Sequence, residues 1–106
     1  MKTLLIDDER LARNELRRLL TAFPDIEIQD EATNAGDARK KIATLQPDLI
    51  FLDVQMPGES GMELLESLEA PVPQVIFTTA FDEFAVKAFE LNALDYLLKP
   101  VDPVRL

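Results

Sequence analysis

The chain of 106 residues contains no cysteine and no histidine. Without cysteine there is neither a disulfide framework nor a thiol nucleophile. Without histidine, zinc sites, histidine-based acid–base catalysis and a Ser-His-Asp triad are excluded. Any chemistry therefore falls to carboxylates, hydroxyls and amines.

Positive charge and long apolar runs are also scarce. The net charge of -9 argues against direct nucleic-acid binding, because phosphate contacts need clustered Lys and Arg. The densest basic group alternates with glutamates on a helical pattern, and we interpret it as a solvated helix face. Its members are Arg10, Arg13, Arg17 and Arg18. No apolar stretch approaches the roughly 20 residues of a membrane span, and no signal peptide is visible. We expect a soluble, cytoplasmic domain without membrane contact.

Short apolar runs alternate with amphipathic stretches, which is typical of βαβ units and a parallel sheet. The predicted strands are Lys2–Ile6, Ile26–Ala32, Leu49–Leu52, Gln74–Thr78 and Leu94–Leu98. The predicted helices are Arg10–Phe23, a second from Asn34 or Gly36 to Gln46, a third capped by Ser60 and Glu63 and running to Leu68, and a fourth over Glu83–Asn92.

Right-handed crossovers favour an α/β, flavodoxin-like, doubly wound five-stranded parallel sheet in the order 2-1-3-4-5. We expect one domain over residues 1–106, cut at the start of its fifth helix, which is largely missing. Without that helix, apolar side chains on one face of the sheet lose their cover. We hypothesise that a second copy of the chain covers this face.

Five polar residues follow the apolar strand patterns. They are Asp7, Asp8, Asp53, Thr79 and Lys99. Because the carboxyl ends of parallel strands meet in one crevice, where such folds bind ligands, we expect these side chains to lie together. Three carboxylates, a hydroxyl and an ammonium suit a divalent cation and a phosphoryl group.

This set of groups predicts phosphoryl transfer onto an aspartate. Mg²⁺ prefers oxygen ligands, and Asp8 and Asp53 could supply them while Asp7 holds a water. Attack by the Asp53 carboxylate would form an acyl phosphate. Lys99 and Thr79 could then stabilise the phosphoryl oxygens together with the cation.

Each residue also has a simpler interpretation. Asp7 and Asp8 could be helix N-caps, Asp53 a turn former, Thr79 an ordinary strand residue and Lys99 a solvated strand terminus. The joint pattern, at one end of one sheet, favours the functional interpretation. Phe81, Phe84 and Phe89 are interpreted as core or helix-packing residues.

Along its whole length, the chain resembles the receiver domain of two-component response regulators. The segments that carry the resemblance are Ile6-Asp7-Asp8-Glu9, Phe51-Leu52-Asp53-Val54-Gln55-Met56-Pro57-Gly58, Phe77-Thr78-Thr79-Ala80 and Asp95-Tyr96-Leu97-Leu98-Lys99-Pro100. The stretch from Thr79 to Lys99 is similar to the subgroup that carries a LytTR-type DNA-binding output domain, which is absent here.

The resemblance implies that Asp53 is the phosphoacceptor for a phosphohistidine on a sensor histidine kinase. It also implies that Asp8, Asp53 and the carbonyl of Gln55 bind Mg²⁺, with Asp7 in support. As a signalling domain, the chain would not be an enzyme beyond its own phosphorylation and dephosphorylation.

By the same resemblance, Lys99 binds the phosphoryl group, and Thr79 and Tyr96 form the pair whose rearrangement reports phosphorylation. Movement of Thr79 would let Tyr96 rotate inward and remodel the surface of the fourth helix and fifth strand, shifting a population between two states. This switch is expected to control dimerisation and DNA binding through the output domain.

Two alternatives stay open. A phosphohydrolase of the haloacid-dehalogenase type would need an acid two residues after its nucleophile, where this chain has Gln55, and its nucleophile would follow the first strand. A degenerate receiver would serve only as a protein-interaction module, and failure to bind Mg²⁺ would favour that interpretation.

Overall fold

The computed structural model describes residues 1–69, 71–80, 88, 90, 91 and 93–101. In chain order, its elements are β1 (Lys2–Ile6), α1 (Arg10–Leu20), β2 (Glu27–Ala32), α2 (Ala35–Leu45), β3 (Leu49–Asp53), α3 (Gly61–Ser67), β4 (Gln74–Thr79) and β5 (Asp95–Leu98). The predicted fourth helix, the three phenylalanines at 81, 84 and 89 and the start of the fifth helix lie largely or wholly outside the described residues.

The five strands form one parallel sheet in the order β2-β1-β3-β4-β5, which confirms the predicted topology. All five residues of β3 are buried, as expected for a strand at the centre of a sheet covered on both faces. β2 lies at one edge and is mostly exposed or half-buried, as its alternating sequence predicts. The order places β1 and β3 side by side, so that their carboxyl ends share one crevice.

Two apolar clusters pack on opposite faces of the sheet because successive strand residues point to opposite sides. One cluster combines Leu4, Ile6, Ile50 and Leu52 with residues of α2 and α3. The other combines Leu5, Leu49 and Phe51 with Leu16, Leu19 and Leu20 of α1. Full burial of such side chains contributes about 1.5–3 kcal/mol each, and this holds the strand ends in fixed relative positions.

The prediction that α1 continues to Phe23 is wrong, since the helix ends at Leu20. Its last turn tightens: the Phe23 amide donates to Leu20 O at 2.9 Å, and Thr21 Oγ1 donates to Arg18 O at 2.7 Å. Pro24 disfavours helical geometry at the residue before it, and its ring would meet the carbonyl four residues back. The proline therefore ends the helix about one turn earlier than its own position suggests.

The other helix ends follow the sequence signals. Asn34 caps α2, its Oδ1 accepting from the Asp37 amide at 2.8 Å. Ser60 and Glu63 form the predicted capping box, in which each side chain accepts from the other residue's amide at 3.1 Å. Two strands are each one residue longer than predicted at their carboxyl ends: β3 includes Asp53, and β4 includes Thr79.

The interpretation of the four arginines as a solvated face is wrong for Arg13. Its side chain is only 11% exposed and pairs with Glu31 on β2, as does that of Arg17. Arg18 does form the expected surface pair with Glu15, three residues earlier on the same helix. Glu31 lies beside α1 because β2 pairs with β1 in the sheet, a contact that the helical pattern does not reveal. Among the described residues, no helix combines the length and apolar character needed to cross a bilayer.

Candidate functional site

Four strand ends meet at one edge of the sheet. Asp7 directly follows β1, Asp53 is the last residue of β3, Thr79 is the last of β4, and Lys99 directly follows β5. The Lys99 amide donates to Thr79 O at 2.7 Å and so joins β5 to β4 at this edge. The structure thus brings the predicted polar residues to one crevice, as parallel strands require.

A cluster of four carboxylates occupies this crevice. One carboxylate oxygen from each of Asp7, Asp8, Glu9 and Asp53 lies within 4.8 Å of the other three. Asp7 and Asp53 are buried, at 1% and 3% exposure, whereas Asp8 and Glu9 are exposed. Negative charges this close repel one another, and the buried pair cannot use water to screen the repulsion.

The ammonium of Lys99 faces this cluster. Its Nζ lies 2.8 Å from Asp7 Oδ2 and 3.5 Å from both Asp53 Oδ2 and Glu9 Oε1. Burial acts to lower the pKa of Lys99, but its close contact with the Asp7 carboxylate and the charges of Asp53, Asp7 and Glu9 outweigh burial and raise that pKa. Lys99 is therefore charged, and its 19% side-chain exposure does not fit a solvated strand terminus.

The pKa of Asp53 is strongly shifted from the ordinary value of an aspartate. Burial, followed by the charge of Asp7, raises the pKa of Asp53 to about 7, while Lys99 and the Gln55 amide act in the opposite direction. An ordinary aspartate would be fully ionised at neutral pH. Here a large fraction of Asp53 holds a proton near pH 7, and any added positive charge would favour its ionised, nucleophilic form.

Asp7 and Asp8 do not cap α1. The N-cap is Glu9, whose side chain makes no capping hydrogen bond. Asp7 instead accepts the Glu9 amide at Oδ1, at 2.9 Å, and places Oδ2 toward Lys99. Glu9 was not among the sequence-predicted site residues, although its position directly after two aspartates is a signal that could have identified it. The N-cap interpretation of the two aspartates is therefore wrong.

The loop after β3 also holds Asp53 in place. The Gln55 amide donates to Asp53 Oδ1 at 3.2 Å, and the Gly61 amide donates to Val54 O at 2.9 Å. Gly61 packs so closely against the Asp53 carbonyl that a side chain at this position would overlap it. Gly58, at φ +83°, provides the left-handed backbone that the loop needs. This packing ties the start of α3 to the backbone of Asp53.

Thr79 and Tyr96 lie on neighbouring strands and on the same face of the sheet. Phe77 pairs with Tyr96 and Thr79 with Leu98, and side chains two residues apart point the same way. Thr79 is buried at 1% exposure, and Tyr96 is half-buried against the core cluster that contains Phe77. The two side chains therefore occupy diagonal positions, with Thr79 nearer the crevice.

The donor set of the crevice fits a hard divalent cation. Carboxylate oxygens are the ligands that Mg²⁺ prefers. Asp7 Oδ2 is buried and accepts no well-directed hydrogen bond from the described part of the chain, despite its ion pair with Lys99. Such an atom retains unused acceptor capacity for a cation or a cation-bound water.

Two grooves flank the sheet. One, of about 410 Å³, opens beside Lys99 between α1 and the end of β5, and reaches Asp7 and Glu9. The larger, of about 910 Å³, lies at the opposite end of the strands between α2 and the loop before β4, and no member of the acidic cluster lines it. The acidic cluster and the larger of these two grooves are thus at different ends of the strands.

Comparison with known proteins supports one family. The model of the response regulator receiver domain matches residues 3–106. A response regulatory protein of Vibrio cholerae is 54% identical over 107 residues, covering 100% of this chain and 45% of its own length. Transcriptional regulatory protein BtsR of Escherichia coli is 50% identical over 107 residues, with 100% and 45% coverage. The chain spans less than half the length of these relatives.

Solved structures agree with the sequence relatives. The response regulatory domain of protein mrkE from Klebsiella pneumoniae superposes with a TM-score of 0.91 at 37% identity, covering 99% of this chain and 88% of that one. The response regulator domain of Thermotoga maritima CheB superposes with a TM-score of 0.85 at 28% identity, covering 97% and 81%. The predicted fold class is therefore confirmed.

Proposed function

The chain belongs to the response regulator receiver domain family, and from this premise we propose that Asp53 accepts a phosphoryl group from a sensor histidine kinase. The observation that carries the proposal is the position of Lys99 Nζ, 3.5 Å from Asp53 Oδ2 and within a cluster of four carboxylates. A nucleophilic carboxylate with an adjacent ammonium is the pair that transfer of a phosphoryl group requires.

In the proposed reaction, an oxygen of ionised Asp53 forms a bond to phosphorus as the bond between phosphorus and the kinase histidine nitrogen breaks. The phosphoryl group moves and the imidazole leaves. Lys99 stabilises one phosphoryl oxygen, and Thr79 donates a hydrogen bond to another. Catalysis consists mainly of positioning and charge neutralisation, because the transition state spreads its charge over the equatorial oxygens.

The residues that would hold Mg²⁺ are Asp8, Asp53 and the carbonyl of Gln55, with Asp7 supporting a bound water. When bound, Mg²⁺ would neutralise phosphoryl oxygens and offset the mutual repulsion of the carboxylates. The buried, raised-pKa Asp53 and the unused capacity of Asp7 Oδ2 support this assignment. The single positive charge of Lys99 offsets only part of the negative charge of the four carboxylates.

We further propose that phosphorylation draws Thr79 toward the new acceptor oxygens and lets Tyr96 rotate inward. Their diagonal positions on one face of the sheet support this coupling, since a displacement of Thr79 would open space on the side toward Tyr96. The changed surface at β5 would then control self-association as a dimer. Phosphorylation can shift the population between the two arrangements of Thr79 and Tyr96 only if the phosphoryl group interacts more favourably with one of them.

The output is proposed to be transcriptional, through a LytTR-type DNA-binding domain in the part of the protein beyond this receiver. BtsR is named a transcriptional regulatory protein, and this chain covers only 45% of its length. The net charge of -9 supports DNA contact through another domain instead of this one.

Intact mass spectrometry tests the proposal. The chain is incubated with Mg²⁺ and a small phosphodonor beside Asp53→Asn, and with EDTA as a second comparison. We expect one added phosphoryl group in the wild type and none in the variant or with EDTA. Addition to both proteins would place the acceptor elsewhere, and addition to neither would favour an interaction module. Rapid release of phosphate with continued turnover would instead favour a phosphohydrolase.

A further inference from the structure

Arg13 joins three elements around the acidic crevice. It lies in the first turns of α1, and its Nη1 donates to the main-chain carbonyl of Asp7 at 2.7 Å. Its Nε donates to Glu31 Oε1 on β2 at 2.6 Å. One guanidinium therefore connects the helix, the loop after β1 and the edge strand. Its 11% exposure means that water competes little for these bonds.

The carbonyl that Arg13 holds belongs to a short loop. Only residues 7–9 separate β1 from α1, and all three contribute carboxylates to the cluster. The Asp7 amide is tied to Ala32 O at 3.0 Å, and its carbonyl to Arg13. The two bonds hold the peptide groups on either side of the Asp7 Cα, and we infer that the direction of the following Asp8 side chain depends on them.

The ion pair of Arg13 points away from the crevice. Glu31, which does not belong to the cluster, accepts hydrogen bonds from both Arg13 and Arg17. Because the bond of Arg13 toward the crevice goes to a main-chain carbonyl and not to a carboxylate of the cluster, we assign its effect to geometry. A buried ion pair often adds no more stability than an apolar pair of the same volume. An apolar pair, however, could not donate to the Asp7 carbonyl.

The identity of the residue also matters. A guanidinium presents several donors in fixed directions and can hold two acceptors at once, whereas a lysine ammonium is a point donor on a flexible stem. The two partners of Arg13 belong to different segments: the Asp7 carbonyl follows β1, and Glu31 lies near the end of β2. A single rigid donor group therefore sets their relative position. Outer groups that orient cation ligands commonly change metal affinity by about 10–100-fold when removed.

We propose that Arg13 is a positioning residue for divalent-cation binding: anchored on Glu31, it holds the Asp7 carbonyl and thereby orients the Asp7 and Asp8 carboxylates. The inference rests on the proposed cation site, though not on phosphoryl transfer itself. It predicts that Arg13 influences cation affinity without contacting the cation.

The test measures Mn²⁺ binding to the whole chain by the electron paramagnetic resonance signal of free Mn²⁺, which shares the preference of Mg²⁺ for oxygen ligands. Circular dichroism identifies a temperature at which every variant is folded. We expect Arg13→Met to weaken binding about 10-fold and Arg13→Lys to restore only part of it. Arg18→Met, which removes an exposed arginine from the same helix, should bind as the wild type does.

Glu31→Gln provides a second route to the same answer, because it removes the anchor and leaves Arg13 in place. It should also weaken Mn²⁺ binding, and combination with Arg13→Met should add little further loss. Wild-type affinity in both Arg13→Met and Glu31→Gln would overturn the inference, even if their melting temperatures fell. Undetectable Mn²⁺ binding by the wild type would overturn it too. Binding without phosphorylation would reject only the proposed phosphoacceptor function.

Discussion

Lys99 pairs more closely with Asp7 than with Asp53: its Nζ lies 2.8 Å from Asp7 Oδ2 and 3.5 Å from Asp53 Oδ2. Asp7 thus holds the ammonium beside the Asp53 carboxylate, the proposed acceptor. A phosphoryl group on Asp53 would offer Lys99 new anionic oxygens, and a cation would weaken the hold of Asp7 on it. The arrangement supports a lysine that changes partners during the proposed reaction.

Replacement of Lys99 by Met should destabilise the chain at pH 8, because Asp7 and Asp53 would keep their burial and lose their shared cation. We expect the free energy of unfolding to fall by about 2 kcal/mol in urea denaturation. Lys40→Met, at an exposed position on α2, is the control and should change stability by less than about 0.5 kcal/mol. Equal losses in the two variants would show that the ion pairs of Lys99 contribute nothing.

Asp53→Asn should become relatively more stable as the pH rises. Because the pKa of Asp53 is about 7 in the folded chain against 3.8 for an unperturbed aspartate, the folded state binds more protons than the unfolded state between these pH values. Wild-type stability contributed by this group is full below pH 4 and lost as the pH rises through 7. We expect the variant to exceed the wild type by about 1–3 kcal/mol at pH 8 and by less at pH 5.

Urea denaturation of both proteins at the two pH values measures this difference. Asp25→Asn removes one carboxylate from an exposed turn and serves as the charge-matched control. Its stability relative to the wild type should change little between pH 5 and pH 8. A constant difference between Asp53→Asn and the wild type would contradict the raised pKa.

Addition of Mg²⁺ should raise the melting temperature of the wild type and reduce the pH dependence described above. A ligand that binds only the folded state stabilises by about 2.7 kcal/mol at 100-fold excess over its Kd. Asp8→Asn should shift less than Asp25→Asn at the same Mg²⁺ concentration, since only Asp8 belongs to the cluster. Identical shifts in the two variants would place the cation outside the crevice.

Gly61→Ala should strongly destabilise the chain because the new methyl group would overlap the main-chain carbonyl of Asp53. We expect a loss of about 1–3 kcal/mol, as for other overpacked sites, together with slower phosphorylation. Gly36→Ala is the matched control: its nearest neighbour would be 3.5 Å away, and alanine favours the helix by about 0.5–1 kcal/mol. Thermal unfolding should therefore move in opposite directions for the two variants.

The strand and helix order was predictable because it depends on local periodicity. Alternating apolar runs predicted all five strands, and Ser60 with Glu63 marked the start of α3 correctly. The strand order then followed from the handedness of parallel crossovers. The end of α1 was less predictable, since Pro24 restricts the residues before it and does not show how far back the effect reaches. The helix ends at Leu20.

The residues that come together in the site were predictable from the sequence, whereas the environment of each side chain was less predictable. Adjacent carboxylates such as Asp7 and Asp8 look alike in a sequence, but in the fold one is buried beside Lys99 and the other is exposed. Glu9 also belongs to the cluster, which its position after two aspartates could have indicated. The pairing of Arg13 with Glu31 is indicated by no local pattern. These environments depend on strands that are distant in sequence.

The sequence by itself determined the order of elements and the strand ends at which polar groups stand, because hydrophobic periodicity and capping act over a few residues. Only the tertiary structure decided which carboxylate loses its water, which cation faces it and which arginine holds its backbone. Burial and Coulombic interaction depend on distances between segments far apart in the chain, and those distances exist only once the sheet has formed.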